Sequence, residues 1–359
     1  MVSLRITEIL SRLSKAELKE FEKFVQSPFF STGRNVYPLL KELKKFHPAF
    51  SGKELTEEKI YCRAYGKKEF NNNVFRKLVS GLTAAAEEYI RYRFYSSSEP
   101  QRALALSNGY AIINDLDGMK KALQQAEKKL SGLKINHDYF EYMYELEQHY
   151  IHYYQSRTDA YTSHGTNVIK RSNNFVMNFL IRLPQQLHDA YVVREGYYSG
   201  SEMGIIQQFI SFVDIEGFLK SLKEANDANH DIAALYGYTA LLWSARGNTE
   251  YFRNALESYK KNLGKLDSMD KYILGILLGT YCTKSEIEGN AELIPDLAGL
   301  YKFMLSENVL SGVYGKFIPG QIFSDYINRL VQLNRIDEAE KVIRYNSPKL
   351  HGDTKTRVL

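Results

Sequence analysis

The sequence predicts an all-α protein: a small N-terminal helical domain followed by an array of stacked helical hairpins. Three observations predict it. Apolar residues recur at helical spacing through almost the whole chain of 359 residues. Proline is scarce, at 8 residues, and the 23 glycines fall mostly where helices would end. An all-β chain would need turn punctuation every ten residues or so, and this one lacks it.

The first helix carries Leu4, Ile6, Ile9, Leu10 and Leu13 on one stripe. Ser14 with Glu17 three residues on is a capping box, which starts a second helix. Ser27-Pro28 ends it, because the residue before proline is pushed out of the α region. Val36 to Phe46 form a third helix, and Thr56-Glu57-Glu58 opens a fourth that Gly66 closes. Asn71 to Asn73 open a long fifth helix reaching about Tyr95. Residues 1–95 therefore form one domain, residues 96–100 (Ser-Ser-Ser-Glu-Pro) a linker, and residues 101–359 the array.

Within the array a hairpin turns at Asp115–Gly118, and a long aromatic helix covers 136–157. Residues 166–199 are helical, with a break or kink at Leu183-Pro184. Pairs follow at about 203–229, 231–262, 270–305 and 319–346. One hairpin cannot bury its apolar faces alone, so hairpins must stack. Asp353 or Thr354 would cap a helix whose body is absent, so the chain is expected to be the N-terminal part of a longer protein.

Composition excludes several classes. Cys62 and Cys282 stand alone, which rules out a disulfide framework and suits a reduced, cytoplasmic setting. The N-terminus interrupts its apolar pattern with Arg5, Glu8 and Arg12, unlike a signal peptide. No run approaches the roughly 18 apolar residues of a membrane helix. The net charge of +5 is uneven: residues 1–95 hold 18 Lys/Arg against 11 Asp/Glu, so the whole basic excess lies there.

The stretch IFSDYINRLVQLNRIDEAEKVIRYNSP, residues 322–348, resembles a tetratricopeptide repeat. Phe323, Tyr326, Ile327 and Leu330 match its first helix, and Ala339 its small residue at the helix crossing. Residues 110–130, with Ala122 and Ala126, are similar, and 241–259 match with an insertion. The spacings are irregular, so the resemblance implies a degenerate α-α superhelix with a concave binding side. ITEILSRLSKAELKEFEKFV resembles the first helices of death-fold domains of the pyrin type. Residues 55–90 resemble the helix-turn-helix of winged-helix regulators, which implies nucleic-acid contact from Arg76 and Lys77. The whole layout resembles a bacterial family of uncharacterised helical proteins.

No phosphate loop, dinucleotide fingerprint, HExxH or nucleophile elbow is present, and residues 200–204 read as an interhelix turn. The reading is a non-catalytic protein without cofactor. Its partner-binding candidates are Tyr142, Tyr144, Tyr150, Tyr154 and Arg157 on the aromatic helix. Tyrosine suits a groove because its ring is apolar and its hydroxyl stays wet, although core packing fits the same pattern. The alternative is nucleic-acid binding by Arg63, Lys67, Lys68, Arg76 and Lys77. Glu145, His149 and His152, at i, i+4 and i+7, form the one metal-like constellation, alongside the plainer reading as polar groups on a buried helix.

Overall fold

A computed structural model describes residues 5–30, 33–66, 69–157, 164–197, 204–244, 248–312 and 317–350. Among these residues the protein is all-α, with no strand and two isolated bridges. The chain divides into two compact units, residues 1–102 and 103–359.

The first unit holds α1 (Arg5–Arg12), α2 (Lys15–Gln26), α3 (Tyr37–Lys44), α4 (Glu57–Tyr65) and α5 (Asn72–Ser97). Ser14 accepts from the Glu17 amide while the Glu17 carboxylate accepts from the Ser14 amide at 2.6 Å, so the capping box is present. Gly66 ends α4 in the left-handed region at φ 61°, where a side chain would be strained. Ile6, Phe21, Leu39, Leu40 and Phe75 meet in its core.

The expected linker at 96–100 is almost entirely helical. Helix α5 runs to Ser97 and α6 (Glu99–Ile112) begins two residues later, with Ser98 between. Pro100 sits in the first turn of α6, where its missing N–H leaves no bond unmade.

In the second unit α6 is followed by α7 (Leu116–Leu130), α8 (Tyr139–Gln155), α9 (Gly165–Val192) and α10 (Ile205–Ile210). Next come α11 (Ile215–Glu224), α12 (His230–Ser244), α13 (Thr249–Asn262) and α14 (Ser268–Ile287). The described part ends with α15 (Ile294–Ser306), the single turn α16 (Val309–Gly312), α17 (Gly320–Gln332) and α18 (Ile336–Asn346). Helix α9 continues through Pro184 without a break; that ring is buried, so packing offsets the lost backbone bond.

Successive helices pack on one another along most of this unit. Helix α12 departs from a simple row: it packs against α9, α11, α13 and α14. Eleven of its residues are buried, from Ile232 to Trp243, because its sequence is apolar on every side.

Turn chemistry recurs between the helices. Asn114, Asn226 and Asn334 all adopt positive φ, near 55°, just past a helix end. Asparagine tolerates this conformation through local hydrogen bonds, so the chain reverses within three to five residues. The bond from the Asp115 amide to the Tyr110 carbonyl recurs from Arg335 to Leu330, closing α6–α7 and α17–α18 alike.

Two clasps join segments far apart in sequence. The Ile135 amide donates to the Lys265 carbonyl at 2.8 Å, and the Asp267 amide to the Ile135 carbonyl at 2.9 Å. The Ile318 amide donates to the Lys349 carbonyl at 2.9 Å.

Candidate functional site

A groove of about 1090 Å³ opens in the second unit between α14, α15 and α17. Helix α14 is capped by Asp267, whose side chain accepts from the Asp270 amide. Its residues Tyr272, Ile276, Thr280 and Thr283 follow helical spacing and form one wall. Gln321, Ser324, Asp325 and Asn328 of α17 form the other, and Tyr301 of α15 closes the floor. Behind this wall a Cβ at Gly275 would lie 2.3 Å from Met304 Cε of α15, so the methionine tip would have to move aside.

A polar network pins the three helices. The Tyr301 hydroxyl donates to Asp325 Oδ2 at 2.8 Å. Arg329 Nε donates to Asp325 Oδ1 at 3.1 Å, and Arg329 Nη1 reaches Glu286 of α14 and Gln332. Burial and the Asp325 carboxylate push the Tyr301 hydroxyl well above the ordinary phenol range. Asp325 is the one charged side chain among the described lining residues, and Arg329 meets its charge. The groove thus presents neutral donors and acceptors beside the rings and stems of Tyr272, Ile276 and Ile322.

The aromatic helix α8 is packed on both sides, against α7 and α9. Phe140, Leu146, Ile151 and Tyr153 are buried. Tyr142, Tyr150 and Tyr154 are half-buried against the α6–α7–α8 core. The Tyr150 hydroxyl donates to Glu127 at 2.8 Å, and Arg157 Nη1 donates to the Tyr153 hydroxyl at 3.0 Å. Tyr144 faces α9, with Phe175 at 6.3 Å and the Arg171 guanidinium over its ring at 6.0 Å. These five residues thus have packing partners, and they do not line the groove.

The metal constellation does not assemble. Among the described residues no group of three His, Cys, Asp or Glu side chains could hold a metal ion. His149 turns to Ser107, 2.5 Å from its Nδ1, while Glu145 and His152 stay exposed. Burial, then the neighbouring His152, holds the His149 imidazole below its usual titration range. Helical spacing put the three on one face, but packing of α6 claimed only the middle one.

Of the basic candidates, Arg63 is bound by Glu54, donating to its carboxylate at 3.2 Å and its carbonyl at 2.7 Å. Arg76 and Lys77 are exposed in the first turns of α5, with no ion pair among the described residues. Lys67 and Lys68, residues 200–203 and residues 351–359 lie outside the described residues. No described helix is long and apolar enough to cross a membrane.

The groove was invisible as a motif. Its two walls come from segments some fifty positions apart, each a mixture of small polar and apolar types, and Tyr301 lies between them in sequence. No protein-family model matches this chain, and no curated protein or solved structure matches it either.

Proposed function

We propose that the chain is a non-catalytic interaction protein that holds an extended peptide segment of a partner protein in the α14–α15–α17 groove. One observation carries this reading: a groove of about 1090 Å³ from two successive hairpins, lined by uncharged hydrogen-bonding side chains apart from Asp325, whose charge Arg329 meets. That volume exceeds the roughly 300–1,000 Å³ typical of small-molecule pockets, and suits several residues of chain. Amide and hydroxyl groups at helical spacing match the alternating donors and acceptors of an extended backbone, while Tyr272 and Ile276 supply apolar contact. The shared turns of α6–α7 and α17–α18 support the tetratricopeptide-like reading of the hairpins.

Affinity capture from the native cell, compared between the wild type and Gln321→Ala with Asn328→Ala, tests it. A discrete partner that the double variant loses, with circular dichroism unchanged, is the expected result. Retention of every partner by the variant would end the proposal. Changing Tyr144 and Tyr154 to alanine asks instead whether α8 takes part.

A second reading rests on the exposed Arg76 and Lys77 and the basic excess of residues 1–95: contact of the first unit with nucleic-acid phosphates. A salt-sensitive gel shift, abolished by Arg76→Ala with Lys77→Ala, supports it; no shift at low salt removes it.

A further inference from the structure

A second opening, of about 300 Å³, lies between α9, α12 and α14, apart from the groove. At its base is Asp270, only 4% exposed. Its Oδ2 accepts from the Tyr236 hydroxyl at 3.0 Å. Among the described residues no lysine or arginine pairs with it. Arg182, which also lines the opening, is committed to Asp138 at 3.1 Å and to Glu141. The wall beside Asp270 is apolar: Ile181, Leu274 and Leu277, all buried.

A buried carboxylate is ordinarily paired with a cation, because desolvation of an unpaired charge is costly. Here open space stands where the partner would be. The other charged groups nearby do not supply it. Asp267 at the cap of the same helix and Asp138 before α8 are negative, and His137 sits 3.3 Å from Asp138. Tyr236 of α12 is neutral, with its ionisation pushed well above the phenol range by burial and then by Asp270.

We propose that this pocket binds a primary alkylammonium group, as a free small amine or as a lysine side chain. The nitrogen sits on the Asp270 oxygen that Tyr236 leaves open, and the alkyl stem lies along Ile181, Leu274 and Leu277. A single open oxygen suits an ammonium, which is a compact point donor. A guanidinium would need both oxygens for its two-pronged fork, and Tyr236 holds one. The apolar wall gives the stem a surface that water does not contest.

Burial, reinforced by Asp267, pushes the Asp270 carboxyl up to about 6. With that value about nine-tenths of the sites are ionised at pH 7 and about one-tenth at pH 5, while an alkylammonium stays charged throughout. Affinity therefore falls about tenfold between pH 7 and pH 5.

Titration calorimetry on the full chain tests this with n-pentylamine and Nα-acetyl-lysine N-methylamide, using 1-pentanol and Nα-acetyl-arginine N-methylamide as controls. Saturable binding of either amine at pH 7, absent for both controls, weaker by about tenfold at pH 5 and lost in Asp270→Asn, is the expected result. The tighter of the two amines identifies the source, free amine or lysine. Absence of amine binding, equal binding of the alcohol or the arginine derivative, or equal affinity at the two pH values overturns the proposal. If Asp270→Asn fails to fold, the wild-type pH comparison still decides.

Discussion

Replacing Arg329 with methionine is the sharpest test of how the groove is held open. Arg329 is 6% exposed and contacts Asp325, Glu286 and Gln332 at once. In the variant Asp325 keeps only the Tyr301 hydroxyl, and Glu286 only the Gln332 amide at 3.1 Å. Breaking a buried ion pair costs about 3–5 kcal/mol, because a charge is left behind without its partner. The Glu286 and Asp325 side chains are 24% and 28% exposed, so water takes over part of the guanidinium's role. Methionine also recovers some stem packing. A loss of about 2–3 kcal/mol follows, at or just below the low end of that range. Hydrogen exchange of the α14 and α17 amides reads it locally, which matters in a chain of two units where one melting temperature is ill-defined. Protection within about 0.5 kcal/mol of the wild type would refute the reasoning. Arg329→Lys restores less than half of the loss, since one ammonium cannot bridge two carboxylates.

Asp115→Ala removes the acceptor for the Gly118 amide at 2.9 Å and lowers stability by about 1 kcal/mol, seen as earlier exchange in α7. Ala339→Leu forces extra volume into the buried α17–α18 contact and costs about 1–3 kcal/mol by urea denaturation, whereas Ala339→Gly leaves that contact open. Asp270→Asn changes the pH dependence of stability. The folded carboxyl, at about 6, lies above its unfolded value near 3.8, so the folded state holds the proton more tightly. Ionising Asp270 thus erodes stability as pH rises from about 4 to 6, fully above 6, by about 3 kcal/mol. The asparagine variant escapes this, so its stability relative to wild type rises over that window; parallel melting curves would contradict it.

Helix positions were legible wherever a side chain closes a local bond. Ser14, Thr56, Asn71 and Gly66 each mark a boundary that the backbone observes, because capping is decided within four residues. Residues 96–100 show the converse, being mostly helical although they lie next to the boundary between the two units. A polar run before proline reads as a linker, yet the same proline is at home in a helix's first turn. Helix α12 offered no stripe to read, since a segment buried on all sides has no polar face to give it orientation. The tyrosines of α8 pointed toward a groove because an aromatic helix must cover its rings somewhere. Whether the cover is a ligand or α7 and α9 depends on neighbours that no local pattern specifies. The groove of α14 and α17 failed for the opposite reason: threonine, glutamine and asparagine at helical spacing look like any solvated face until packing leaves a space between two of them.

The backbone clasp between Ile135 and the Lys265–Asp267 segment bears on how the second unit comes apart. A stack touching only its neighbours can peel like tape, one hairpin after another. Here the stretch from α8 to α13 is buckled into a loop, so stretching the chain from its ends must first spring the buckle. Helices α8 to α13 then give way as a single block, and a force-extension trace shows one long jump there instead of a staircase.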